Sequence, residues 1–317
     1  MIRLINNVVQ YPVDAQSNLF FCALVSTFLA VEKTNENTTL FCGRKRSVCD
    51  NCGSCGDKPM MARHHLGLYH HYLTITGVGL LWEDNAKNDA YCSTYQGNIY
   101  LKNLTDRLDF SMKAAGYNYL RLRKKDGKSE IFMQIANSIE NDHPVLMKLG
   151  NGEDWHVVTG YDSDNYILYG IDANKHYLAK PTVSPDGYTE NNLFYISNWF
   201  DNLTCAIVIT GKSNEKFNLH DLLKRMILVL DQEKNIGLEN KVLERINSNT
   251  DGDSRKLAEW LNNLSGYAVE ARWHGAECFT AALYHMTNNT KCKELLCKAT
   301  DKYLHFHDQC WKIWGQL

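Results

Sequence analysis

The spacing of apolar residues changes character twice along this chain, and that constrains its fold more than any other feature. Before Pro144, helix-like segments carry apolar positions three and four residues apart. After Pro144 the apolar residues collect in short runs, PVLMKL, WHVVTGYD, NYILYGID and later CAIVIT, divided by Gly, Asn and Asp turns. From about Phe217 the three- and four-residue spacing returns. Strand-length runs set between helical stretches predict an α+β chain in two parts. Residues 1–212 would mix helix and strand, residues 213–317 would be all-α, and GKSNEK at 211–216 marks the boundary. At 317 residues the chain is long enough for two medium domains or a single large one.

Within the first part, residues 18–32 have a helical period and 64–82 a weaker one. A further helix is expected over 101–116, closing at Gly116. Residues 129–142 place apolar residues at 131, 132, 135 and 139 behind a Ser129 cap. In the second part, segments such as NLHDLLKRMILVLDQE and CKELLCKATDKYLHFHDQCWKIW read as helices throughout.

The formal net charge is −2, so no basic surplus is available to displace counterions from nucleic acid or to seek an anionic membrane. Arg44-Lys45-Arg46 reads as a solvated basic turn. No segment reaches the roughly 18–20 apolar residues of a membrane span. Residues 19–31 follow Pro12, Asp14 and Gln16 rather than a basic region, and no small-residue cleavage pattern ends them. A cytoplasmic location is expected, with neither nucleic acid nor membrane as partner.

There are eleven cysteines, an odd number, several of them with two residues between neighbours. That favours thiols, metal ligands and catalysis over a disulfide framework. Cys22 stands where the polar segment ending in Gln16-Ser17-Asn18 turns into an apolar helix. An ordinary thiol has a pKa near ~8.5, whereas a catalytic one can fall near ~4, a difference of roughly 6 kcal/mol in favour of the thiolate. A helix N-terminus supplies at most about 2 kcal/mol of this. A cationic partner is therefore required. His156, on a β-like run after the turn GNGEDW, is the candidate. Asp172, at the end of the next run, or Asn174 two beyond it, would hold the imidazole tautomer. Gln16, six positions before Cys22, would aim its side-chain amide at a developing oxyanion beside the Cys22 backbone N–H. Taken singly, each has a plainer reading: a packed core thiol, a satisfied strand histidine, a turn aspartate.

The order of these residues in QSNLFFC and WHVVTGYDSDNYILYGID resembles the papain-like thiol fold. It is most similar to the bacteriocin-processing double-glycine peptidases, with Gln six before Cys, His opening a strand that runs into Gly-Tyr, then Asp. The resemblance covers residues 1–212. It implies a papain-like domain in which the Cys helix packs on an antiparallel sheet. The two-part layout is similar to the butirosin-biosynthesis acyltransferase family and to the amide-forming peptidase homologue of closthioamide biosynthesis. Those resemblances imply that Cys22 accepts an acyl group from a carrier-protein or other thioester and passes it to an amine. The expected function is thus amide-forming acyl transfer in specialised metabolism. A cysteine peptidase or amidohydrolase of the same fold is the alternative, since water or an amine can attack the acyl-enzyme with His156 as base either way. The helical part would cover the cleft and bind the acceptor, or else stabilise or dimerise the protein.

An insertion at 42–57 contains Cys42, Cys49, Cys52 and Cys55 as C-x6-C-x2-C-x2-C, with Gly53 and Gly56 permitting tight turns. Four such thiolates suit a structural tetrahedral zinc. The tight triple also fits an iron–sulfur site less well, and a redox pair or a loop of thiols is the plainer reading. Catalysis itself needs no cofactor. His64, His65, His70 and His71 lie nearby and read as helix-face residues. Cys278, Cys292, Cys297 and Cys310 lack ligand spacing and read as core. Tyr303, Phe306, Trp311 and Trp314 read as core or interface. A reading from another class remains, a metal-stabilised binding protein whose thiol is incidental.

Overall fold

The computed structural model describes residues 1–6, 8, 19–32, 72, 76, 104–150, 155–172, 183–215, 219–236, 243–244, 247–248, 255, 258, 275–276, 279 and 287–314. The chain is α+β, and its strands form an antiparallel sheet. It divides into two compact units, one of Met1–Asn37 with Ala115–Glu215, the other of Thr38–Ala114 with Lys216–Leu317. The division near Glu215 lies close to the expected boundary, while residues 38–114 group with the C-terminal segment.

The first unit holds the strands β1 (Ile2–Leu4), β2 (Tyr117–Leu122), β3 (Val145–Leu149), β4 (Trp155–Asp162), β5 (Ile167–Asp172), β6 (Gly187–Tyr188), β7 (Phe194–Ile196) and β8 (Leu203–Lys212). Their order is β2-β8-β3-β4-β5-β7-β6, with β1 paired to β4. Pairing is antiparallel throughout. β4 is buried along its whole length, its polar His156, Thr159 and Asp162 included. A bulge at Thr159 shifts its register against β5.

Helix α1 (Leu19–Val31) is buried from Phe20 to Leu29. A helix buried on all sides must satisfy its polar residues internally. Ser26 Oγ donates to the Cys22 carbonyl at 3.0 Å and Thr27 Oγ1 to the Ala23 carbonyl at 2.9 Å, so neither hydroxyl needs water. α1 packs on β3 and β4.

A different helix, α3 (Lys128–Glu140), supplies the core through Ile131, Phe132, Ile135 and Ile139, as their spacing predicts. Its start differs from expectation. The helix begins at Lys128, and Gly127, with φ of 87°, is the N-cap rather than Ser129. A left-handed backbone at the entry suits glycine, and no side-chain cap forms. Between β7 and β8 lies a single helical turn, α4 (Trp199–Asn202), with Trp199 buried.

In the second unit, α2 (Leu104–Ala115) ends before Gly116, whose φ of 72° is the left-handed stop expected there. α5 (Leu219–Ile236) and α6 (Thr290–Trp314) follow, and the other described residues after 240 that carry regular structure are helical. The α6 start is capped: Asn289 Oδ1 accepts from the Cys292 N–H at 3.0 Å. Cys292 and Cys297 are partly exposed rather than core, because their stretch of α6 faces outward in part. The Tyr303 ring meets Phe279 edge-on at 5.0 Å, while Phe306 is largely exposed.

Candidate functional site

Cys22 is the fourth residue of α1, in its first turn, and its thiol is buried and outside any disulfide. The field of the helix favours a thiolate within that turn. Phe20, two residues earlier, meets Trp155 edge-on at 5.0 Å, which sets the start of α1 against the start of β4.

His156 follows Trp155 on β4 and is 1% exposed. In the β4–β5 ladder its Cα partner is Asp172. Residues directly opposite in an antiparallel pair have Cβ atoms about 4.5–5.5 Å apart, on one face of the sheet. The backbones of His156 and Asp172 are therefore paired by register, while the Asp172 side chain lies outside the described residues.

The faces of β4 are told apart by what their side chains meet. Met147, the β3 partner of His156, and Val158, two residues along, belong to the core built on Ile131, Ile135 and Phe194. The His156 ring meets Phe194 edge-on at 5.2 Å. His156 thus points to the α3 face, and alternation turns Trp155 to the α1 face, where Phe20 lies. Register joins His156 to Asp172, and aromatic packing joins α1 to Trp155. The helix that carries Cys22 thus packs on one face of the sheet, and the His156 ring points to the other. Gln16, Asn174 and the metal candidates Cys42, Cys49, Cys52 and Cys55 lie outside the described residues, as do His64, His65, His70, His71, Cys278 and the side chains of Cys310, Trp311 and Trp314.

Trp155 was not singled out from sequence. Its indole is fully buried, and its Nε1–H has no hydrogen-bond partner among the described residues. An unsatisfied buried donor costs about 1–3 kcal/mol. The Lys148 ammonium lies 5.8 Å from the centroid of its ring. The sequence signal that points to it is alternation: a residue beside a candidate His on a strand faces the other side of the sheet.

Cys205, opposite Lys148 in the β3–β8 ladder, is a second buried thiol. Burial pushes its pKa up, against the pull of Arg121, Lys148 and Arg123, so it remains protonated and is no rival nucleophile.

Among the described residues no group of three or more His, Cys, Asp or Glu is placed to hold a metal, and no helix is long and apolar enough to cross a membrane. No protein-family model, curated protein or solved structure matches the chain.

Proposed function

We propose that this chain is a thiol-dependent acyltransferase of papain-like type, with Cys22 as nucleophile, His156 as base, Asp172 as its orienting carboxylate and Gln16 as an oxyanion donor. The observation that supports it is the β4–β5 register, His156 opposite Asp172, at the end of β4 where the Cys22 helix begins. The reading requires the imidazole to reach the thiol past the Trp155 end of β4, because sheet alternation directs it away from α1.

The chemistry then runs in two halves. The Cys22 thiolate attacks a thioester carbonyl, forming a C–S bond while the carbonyl electron pair moves to oxygen. Collapse of that oxyanion expels the donor thiolate, which takes the imidazolium proton of His156. In the second half an amine attacks the acyl-enzyme, His156 takes its proton, and the Cys22 thiolate leaves. Water in place of the amine gives hydrolysis. The donor is an acyl-carrier protein or a small acyl thioester, the acceptor an amine of specialised metabolism, and the setting the cytoplasm. The helical segments bind the acceptor or mediate dimerisation, and Cys42, Cys49, Cys52 and Cys55 hold a structural zinc.

Intact-mass measurement after exposure to acyl thioesters tests this. The expected result is one acyl adduct, absent in Cys22→Ala, that an added amine removes as an amide. At mildly acidic pH, iodoacetamide should label Cys22 selectively in the wild type and at an ordinary thiol rate in His156→Asn. No adduct and slow, uniform labelling in both proteins would sink the proposal.

A second reading is favoured by one observation, the packing of the His156 ring on Phe194. There His156 is architectural, Cys22 is a core thiol, and the protein binds a partner without catalysis. Unchanged labelling and a lowered Tm in His156→Asn is its signature.

A further inference from the structure

We infer that Lys148, Arg121 and Arg123 form a binding site for a phosphate monoester on the α1 face of the sheet, around the buried sulfur of Cys205. The site stands on its own geometry. Naming its ligand as the terminal phosphate of a small acyl thioester, of the coenzyme A kind, rests on the acyl-transfer reading.

Register and alternation assemble it. His156, Met147, Ala206 and Leu122 lie in one row across β4, β3, β8 and β2, and the last three belong to the core on the α3 side. The next row therefore turns to the α1 face. It contains Trp155, Lys148 and Cys205, each directly opposite the next. Arg123 follows Leu122 with an extended backbone, which carries the line of β2 one residue further, and Arg121 lies two residues back. The Arg121 side chain hydrogen-bonds the Cys205 sulfur, and the charges of Lys148 and Arg123 act on the same atom. Three cations on the strands flanking β8 are gathered around one buried sulfur.

Charge and shape then select the ligand. β2, β3 and β8 contain no acidic residue, so the strands that carry the cations bring no carboxylate to them. The Cys205 thiol, held protonated by burial, does not cancel their charge. Cys205 is buried, Lys148 and Arg121 are partly exposed and Arg123 is exposed, so the positive charge runs from the interior to solvent. Next in the row, the fully buried Trp155 Nε1–H has no acceptor among the described residues, and the Lys148 ammonium lies 5.8 Å from the centroid of that ring. A phosphate monoester carries about −1.5 to −2 charge at neutral pH and three acceptor oxygens. A guanidinium fork pairs with two of them, and an ammonium supplies a compact charge to the third. A carboxylate or a phosphodiester, each with a single charge, leaves the cluster in surplus. A donor that ends in a monoester fits better than an arm joined to a carrier protein through a diester.

The test is calorimetric titration of the full chain with coenzyme A and with dephospho-coenzyme A, which lacks the terminal monoester, using inorganic phosphate as competitor. Coenzyme A should bind about 10- to 100-fold more tightly than dephospho-coenzyme A, and phosphate should displace it. Lys148→Gln and Arg123→Gln should each weaken coenzyme A about 10-fold and leave dephospho-coenzyme A unchanged. Arg123 is exposed, so its replacement spares the fold and decides the matter even if Lys148→Gln melts early. Equal affinity for the two compounds, or wild-type affinity of Arg123→Gln for coenzyme A, overturns the site. Cys22→Ala should keep the coenzyme A affinity, which separates binding from thiol chemistry. Phosphate-dependent binding with no acyl adduct on Cys22 of the wild type leaves the site standing and sinks the acyl-transfer reading. An adduct formed from a coenzyme A thioester at a rate indifferent to the terminal phosphate does the reverse.

Discussion

Tyr117, at the start of an edge strand, ties the end of α1 to the sheet. Its hydroxyl donates to the Glu32 carboxylate and accepts from Lys212 Nζ at 2.7 Å, while Lys212 also pairs with Glu32. The Tyr117 ring stacks on Phe28 at 5.5 Å, and the Lys212 ammonium lies 4.0 Å from its centroid. Burial first, then the bond to Glu32, raises the hydroxyl pKa from 10.0 to about 12. A raised folded value means the unfolded chain loses this proton first as pH rises. The associated stability is complete below pH 10 and is lost toward pH 12. Urea midpoints measured at neutral pH and across that window check this. Tyr117→Phe should cost about 1 kcal/mol at neutral pH and show a shallower loss at high pH than the wild type. Glu32 and Lys212 were silent in the sequence, since nothing local marks residues 180 positions apart as partners. The candidate site was legible in part for the same reason. Cys22, His156 and Asp172 announce themselves by type and by the element each occupies. The faces they present depend on where α1 and α3 lie, and no local pattern encodes that.

At the scale of elements, the runs that became β3, β4, β5 and β8 were readable because each is apolar and bounded by turn residues. β2 was not, although Tyr117–Leu122 alternates; its partly exposed polar members hide the run. β6 and β7 are two and three residues long, too short for any period to show. Yet this end of the sheet bears on the candidate site. Phe194 of β7 meets the His156 ring, and its own Cα partner is Gly170 of β5. A side chain at Gly170 would run into the Val157 carbonyl and come within 2.7 Å of the Phe194 ring. Neither neighbour has room to move, since Val157 is in the ladder and Phe194 is 1% exposed. Gly170→Ala should therefore destabilise the chain by about 1–3 kcal/mol in chemical denaturation. By loosening β5 against β4 it should also slow Cys22 acylation more than it weakens thioester binding. A stability equal to wild type would show that β5 shifts freely and that the His156–Asp172 register is not rigid.

For the whole molecule, neither compact unit is a single stretch of chain, and this decides how it can be divided. The second unit combines residues 38–114 with the C-terminal segment. An ion pair shows how the two parts of it are joined: Arg225 of α5 donates to the Asp106 carboxylate of α2 at 2.5 Å and lies 4.5 Å over the Phe110 ring. Arg225 is 4% exposed. Asp106 is partly exposed, so removing Arg225 costs less than the roughly 3–5 kcal/mol of a fully buried pair, and replacing both by apolar residues is milder still. The sequence break at 211–216 reflects the change from strand to helix and says nothing of what residues 38–114 pack with. A chain ending at Glu215 keeps all of the first unit, but it leaves Asp106 without its cation and Phe110 without its cover. It should bind a hydrophobic dye and self-associate in size-exclusion chromatography, although its sheet persists in circular dichroism. Arg225→Ala in the full chain should show the same dye binding in weaker form, relieved when Asp106→Leu is added. A truncated chain that stays monomeric and dye-free would mean residues 38–114 hold together without the C-terminal helices, because a Phe110 ring stripped of its Arg225 cover would otherwise open to the dye.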